Sequence, residues 1–387
     1  MLLLMSSNCL KSPKGTTIGC LFFILCCVNI GCESKISSVE FIPTQIYEFS
    51  EPRNIGRDRV FMIENIEDIE MIHPQVDNNL IIINYLKNKK SETIHINSNL
   101  LWDNFYYLNK DSIFLINRYN GLIYLVNSKS ELIDNWQVPL QIDSVQYTIY
   151  IARQCDLYVK NSEMYLKIIG VSGDDYIYNY YISMIYDLKF HKIKRIYMKY
   201  PAVYTTTHNW SNVGCIVTTT YKSPNQIFYN FPMYENIISY SLINNETKEI
   251  HLPRSKYIKD FPPPIFANNW KELRQSYIRT YWIDKPSYQQ LIFDKYRNLF
   301  YRIVYHSQPL NDSSGNYNDD FTRNWSIMVF DESFKFINEQ FFEGRKYQPF
   351  FTFVTSDGLI IPFHDRYQNN NSNGITYQLF KIKKDVK

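Results

Sequence analysis

The chain has 387 residues with 41 basic and 38 acidic side chains, a net charge of +3, so it lacks the electrostatic footprint of a nucleic-acid-binding protein and no nucleic acid is expected as partner. Its 45% hydrophobic content excludes a disordered chain, and 33 Tyr and 25 Phe against 12 Gly favour pleated, half-buried surfaces. The length suits either two domains or one large β architecture.

Before residue 32 the only charges are Lys11 and Lys14, ahead of an apolar run at 18–30 and then Gly31-Cys32. A run of 13 residues is too short to span a bilayer permanently. The order basic, apolar, small residue, cysteine is that of a bacterial lipoprotein signal at 1–31. The expectation is cleavage before Cys32, acylation of its sulfur, and a domain at 32–387 tethered to a membrane of the cell envelope. Asn29 departs from the leucine usual at that place in such signals. Glu33-Ser34-Lys35 is not an acidic run of the kind that directs surface export, so the periplasmic side and the cell surface both stay open. Without residues 1–31 the balance is 39 basic to 38 acidic, close to neutral. Five of the seven cysteines lie at or before Cys32. The remaining Cys155 and Cys215 have no Cys or His at ligand spacing, so neither a metal nor another cofactor is expected, and whether the two are bonded stays open.

The body reads as short strands between polar turns. A strand is expected at 38–49, and others at 80–85 and 93–96 within an irregular stretch. The clearest unit has strands at 104–108, 112–117, 121–127 and 131–137, joined by the turns Asn109-Lys110-Asp111, Arg118-Tyr119-Asn120 and Ser128-Lys129-Ser130. Four antiparallel strands in that space are the size of one propeller blade. Its last hairpin, an apolar stretch ending in Asn or Asp before a polar turn, recurs at 124–127, 184–187, 241–244 and 328–331. An insertion at about 253–286 holds Pro262-Pro263-Pro264 and a short helix expected at 270–276 behind Asn268-Asn269. Strands at 289–294, 299–306, 326–331 and 335–342 make a further blade. Those at 349–354, 359–364 and 375–382 lack a fourth, which 38–49 can supply. The expected fold is all-β, a six-bladed β-propeller whose ring is closed by the N-terminal strand joining the C-terminal blade. The alternative is a β-sandwich with a small second domain.

The segment Leu291-Ile292-Phe293-Asp294-Lys295-Tyr296-Arg297-Asn298-Leu299-Phe300-Tyr301-Arg302 resembles a hallmark of a lipoprotein family from Bacteroides-like bacteria, and the run 325–342 is similar to it as well. The resemblance implies a six-bladed propeller, a lipid anchor and no established catalytic residue.

The turns expected on one face of the sheets are short (128–130, 160–162, 244–246, 331–333, 356–358), and the long segments fall on the other (170–176, 201–213, 222–235, 253–286, 307–323, 365–374). Long loops on one side of a rigid scaffold are where binding usually resides. The candidate ligand face comprises Tyr204, His208, Trp210, Tyr229, Arg302, His306, His364 and Arg366. No His-Glu-x-x-His helix, Gly-x-Ser-x-Gly elbow or phosphate-binding glycine loop is present, and Asp174-Asp175 reads as a solvated turn. No catalytic residue is therefore named. Two functions stand: a binding or scaffolding module for a protein, glycan or peptide, and a hydrolase or lyase acting on exported polysaccharide or peptide. Two or more carboxylates, or His with Arg, converging within catalytic distance at the mouth of the propeller channel would favour the second; an aromatic groove without them would favour the first.

Overall fold

The structure, a computed structural model, describes residues 36–50, 61–64, 69–74, 79–84, 89–97, 99–150, 157–170, 177–204, 216–223, 225–260, 283–349, 352–364 and 374–386. The signal, Cys32, Cys155, Cys215, Asp174-Asp175 and the helix expected at 270–276 lie outside the described residues.

The fold is all-β. Strand β1 (Ile36–Ser50) is followed by a four-stranded sheet of β2 (Phe61–Glu64), β3 (Ile69–Pro74), β4 (Asn79–Asn84) and β5 (Lys89–His95). A second sheet has β6 (Asn104–Asn109), β7 (Ser112–Ile116), β8 (Leu122–Val126) and β9 (Leu132–Gln137). The third has six strands: β10 (Gln141–Ile142), β11 (Val145–Ile149), β12 (Leu157–Lys160), β13 (Glu163–Gly170), β14 (Tyr181–Asp187) and β15 (Lys192–Lys199). The fourth has β16 (Thr218–Ser223), β17 (Gln226–Asn230), β18 (Ile237–Ser241) and β19 (Thr247–Ile250), and the fifth has β20 (Ser287–Asp294), β21 (Leu299–Tyr305), β22 (Trp325–Asp331) and β23 (Phe336–Phe342). In the sixth, β24 (Phe353–Val354), β25 (Leu359–Pro362) and β26 (Gly374–Val386) are joined by β1, which pairs antiparallel with β26 from Ile36↔Val386 to Ser50↔Gly374.

The recurring hairpins form for a local reason. The Asn or Asp ending the first strand accepts backbone N–H groups of the turn it precedes. Asn127 Oδ1 takes Lys129 and Glu131, Asp187 Oδ1 takes Lys189 and Phe190, and Asp331 Oδ1 takes Ser333 and Lys335. A residue of positive φ completes each turn: Ser130, His191 and Phe334. At 241–244 the pattern is offset, because β18 ends at Ser241 and Asn244 bonds Glu246 within the turn.

Successive sheets share cores, and the inner strands are buried on both faces. Along β13, Met164, Leu166 and Ile168 enter the core shared with the second sheet, while Tyr165 enters the core shared with the fourth. Along β21, Leu299, Tyr301, Ile303 and Tyr305 face the sixth sheet, and Phe300 and Val304 face the fourth. This period-2 division leaves no solvent face.

The expected closed ring of six four-stranded blades is not found. The strands lie in six separate sheets, one of them six-stranded because β11 and β12 pair with successive halves of β13. Among the described residues no ladder joins the sixth sheet to that of β2–β5. The recurring hairpin fixes pairing inside a sheet, and carries no information on how many strands gather there or whether the sheets close. The strand pairing of 38–49 with 375–382 is present; the ring built on it is not. Nor is there a separate second domain, since 36–387 form one unit. The segment 222–235, taken as a long loop, is largely strand, because β17 follows β16 after a short turn.

Candidate functional site

The hallmark segment is structural. The Asp294 carboxylate is fully buried at the turn between β20 and β21 and accepts the N–H groups of Tyr296 and Arg297, both at 3.0 Å, and the Tyr301 hydroxyl at 2.7 Å. Burial beside that carboxylate holds the Tyr301 hydroxyl well above its usual pKa. Arg297 pairs with Asp294 at 3.1 Å and donates to the Thr355 and Ser356 carbonyls, tying the fifth sheet to the sixth.

Arg302 lies on the β21 face between Phe300 and Val304, turned towards the fourth sheet. Its guanidinium lies 3.4 Å from the Tyr288 ring centroid. Nε donates to Asn230 Oδ1 at 2.7 Å, Nη2 to the Tyr234 carbonyl at 2.7 Å, and Nη1 to the Glu235 carbonyl. Burial lowers its pKa to about 10, so it stays a cation at neutral pH. Those contacts make it a pin between two sheets.

His306, just beyond β21, is only 7% exposed, and it begins a polar chain. Its Nε2 lies 2.9 Å from Ser326 Oγ, which in turn lies 2.5 Å from Glu339 Oε1. Ser255 Oγ donates to the same carboxylate oxygen at 2.6 Å, and the Lys256 N–H donates to Oε2 at 3.0 Å. The single Ser326 proton is committed to the carboxylate, so its oxygen accepts from His306 Nε2–H. That tautomer leaves the imidazole lone pair on Nδ1, to which no described residue donates. Burial, then Arg323 and Lys256, lower the His306 pKa to about 4, and the ring is neutral at neutral pH. Arg323 Nε donates to the His306 carbonyl at 2.9 Å, and its guanidinium, with a pKa lowered by burial to about 10, also reaches the Lys285 carbonyl.

Aromatic surface covers this chain. Tyr257 stacks on the His306 ring with centroids 4.1 Å apart, Phe341 lies 5.6 Å from the same ring, and Phe341 is 44% exposed. A solute at this point would meet an aromatic platform, a neutral imidazole and the Lys256 cation, whose ammonium is 5.0 Å from the Tyr257 centroid.

The other expected site residues are placed differently. Tyr204 is buried in an aromatic cluster with Tyr178 and Tyr200, and its hydroxyl accepts the Met233 N–H at 3.0 Å. Tyr229 is buried in β17 with its hydroxyl 2.8 Å from Ser183 Oγ. His364 is half-buried, its ring 4.2 Å from that of Phe321. Phe321 belongs to the same loop as Arg323, which holds the His306 carbonyl. His208, Trp210 and Arg366 lie outside the described residues. The sequence reading missed Ser255, Tyr257, Arg323, Ser326, Glu339 and Phe341. For Ser326 a signal existed: it interrupts a strand of apolar residues, where a polar side chain needs a buried partner, whereas Glu339 lies between Asn338 and Gln340 and carries no such signal. Among the described residues no group of three or more His, Cys, Asp and Glu could hold a metal ion.

An all-β chain of packed sheets, with a polar chain under an aromatic platform at one end of the fifth, is the class of protein defined here. The model of a domain of unknown function, DUF4221, matches residues 103–341, more than half the chain, and the chain belongs to that family. A crystal structure of a DUF4221 family member from Bacteroides vulgatus is similar, with a TM-score of 0.74 at 18% identity, covering 91% of this chain and 100% of that one. A protein of unknown function from Bacteroides caccae matches with a TM-score of 0.36 at 8% identity, over 70% of this chain and 78% of that one. No curated protein matches.

Proposed function

We propose that this chain is an exported, lipid-anchored protein of the cell envelope that acts as a hydrolase or lyase on polysaccharide or peptide. The observation that supports this reading is the Glu339–Ser326–His306 chain beside Arg323. His306 offers a base at Nδ1 that is neutral across the physiological range, and the positive charge it gains on taking a proton is opposed by Glu339 through Ser326. The lipid anchor rests on the order of Lys14, the apolar run and Gly31-Cys32. A labelled fatty-acid analogue should mark the wild-type protein and leave Cys32→Ala unmarked.

A second reading, a binding module for a protein, glycan or peptide, is favoured by the exposed Phe341 beside Tyr257. One experiment separates the two. Product release from a panel of polysaccharides and peptides is measured for wild type, His306→Gln and Phe341→Ala, with thermal melting as a check on folding. Acid–base chemistry requires His306→Gln to lose about 100-fold or more in turnover while retaining binding. Binding without turnover in the wild type, lost in Phe341→Ala, would leave the module reading in its place.

A further inference from the structure

The hairpin turns at one end of the sheets form a continuous surface that starts where the chain enters its first strand. At the start of β1, Ser38 bonds Asp385, and the adjacent Lys384 donates to the Arg297 carbonyl in the turn before β21. Leu299, after that turn, pairs with Asp331, whose turn carries Glu332, and Lys222 bonds the Glu332 carbonyl. The Asn225 side chain then accepts from Lys160, and its carbonyl accepts the Leu242 N–H. Ser162 in turn meets Leu188. Side chains at three tips of this surface project apolar area into solvent: Phe190 is 62% exposed, Ile243 74% and Tyr296 42%. Two of them carry cations on their rings, with Lys189 and Lys192 at 5.3 and 5.6 Å from the Phe190 centroid and Lys295 at 5.2 Å from that of Tyr296. The tips are held by turns, since Asp187 accepts the Phe190 N–H and Asp294 that of Tyr296.

We infer that this turn surface lies against the phospholipid bilayer that holds the anchor, with Phe190, Ile243 and Tyr296 at the lipid interface and the lysines beside Phe190 and Tyr296 at the headgroups. Scattered apolar side chains are ordinary on a protein surface; the length of the tether is what selects this surface. The inference rests on the reading that Cys32 carries the lipid. Ile36 lies only four positions after Cys32, and four fully extended steps of the chain span at most about 14 Å. The start of β1 is thereby held close to the headgroups, and an aromatic or aliphatic tip flanked by lysine is the chemistry suited to that depth. His306 stands at the other end of β21, about 20 Å along the strand from the turn, and so faces away from the membrane.

The test places a tryptophan at each end of the full-length protein bound to vesicles of phosphatidylethanolamine and phosphatidylglycerol containing a brominated phosphatidylcholine. Phe190→Trp and Ile243→Trp report the turn surface, and Tyr317→Trp reports the loop between β21 and β22 at the opposite end. On protein recovered by flotation, the emission added at 190 and 243 should fall by about half or more while that at 317 is unchanged. Quenching at 317, equal quenching at all three, none at 190 and 243, or failure to float would each overturn the assignment. Fatty-acid labelling of the same preparation reports the anchor separately: absence of label with the expected quenching would overturn the acylation of Cys32 and leave the orientation standing.

Discussion

Arg302 on β21 and His306 just beyond its end are both buried ionisable residues, and their surroundings make one a cation and leave the other neutral. Arg302 keeps its charge because three oxygens and the Tyr288 ring replace its hydration. Removing the side chain leaves the Asn230 amide and two carbonyls buried without that donor, so Arg302→Ala should cost about 3–5 kcal/mol. Arg302→Lys should recover only part, since an ammonium cannot reproduce the planar fork. Urea unfolding reads both, and Arg302→Lys as stable as wild type would contradict the role. His306 stays neutral when folded, with a pKa lowered to about 4, whereas the unfolded ring takes a proton near the ordinary histidine value of 6.5. The unfolded state then binds more protons between those values. The contribution is complete above about pH 6.5, is lost as pH falls towards 4, and is worth up to about 3 kcal/mol. His306→Gln should flatten the dependence of the unfolding midpoint on pH across that window; an unchanged slope would mean that the ring is more open to water than its burial implies.

Strand β1 shows how an element is held when only one of its edges has a backbone partner. Its inner edge pairs with β26, and its outer edge is met by side-chain amides of β23. Asn338 accepts the Val39 N–H and donates to the Val39 carbonyl, and Gln340 does the same for Phe41, all at 2.9–3.2 Å. Those amides satisfy the outward backbone groups of Val39 and Phe41 on an edge that would otherwise invite another strand. The double variant Asn338→Ala with Gln340→Ala removes four bonds and should cost about 2–4 kcal/mol, while deletion of 36–50 should cost much more; an unchanged urea midpoint in the double variant would show that the amides are incidental. Individual strands were legible in the sequence because their ends are set by local chemistry. The units at 104–137 and 289–342 fall within two residues of their expected limits, with an Asn or Asp capping most of the turns. The assembly was not legible, because strands such as β21 and β22 are buried on both faces and read as apolar runs, broken only by Arg302 and Ser326, with no alternation to tell one face from the other. Nothing in such a run says which neighbour each face meets. The site was illegible for the same reason: His306 was visible as a residue at a strand end, but Ser326, Glu339 and Ser255 come together only after the fifth sheet and the 251–260 segment have packed.

At the scale of the whole molecule, the described residues form four core clusters in series, with the third, fourth and fifth sheets each contributing alternate side chains to two of them. The third sheet links the first core to the second, the fourth links the second to that around Phe300, and the fifth links that one to the core of the sixth sheet. Loss of any interior sheet would expose one face of each neighbour, so no core can empty alone without uncovering apolar surface in the next. The expectation is one cooperative transition for residues 36–387, although the chain is longer than most that unfold in a single step. Two tryptophans test it. Trp136 is buried in the first core and donates to the Leu188 carbonyl at 2.9 Å, whereas Trp325 is buried in the last, stacked on Phe342 with centroids 4.2 Å apart. The Trp325 indole N–H makes no hydrogen bond, so Trp325→Phe removes the fluorophore without breaking one. Subtracting the urea unfolding curves of Trp136→Phe and Trp325→Phe from the wild type isolates the signal of each end. Coupled cores require both signals to move at the same denaturant concentration, and Arg302→Ala, placed between the fourth and fifth sheets, should shift both by the same amount. Separate midpoints, or a shift confined to Trp325, would mean that the stack comes apart from one end and that the fourth and fifth sheets do not transmit stability between the outer cores.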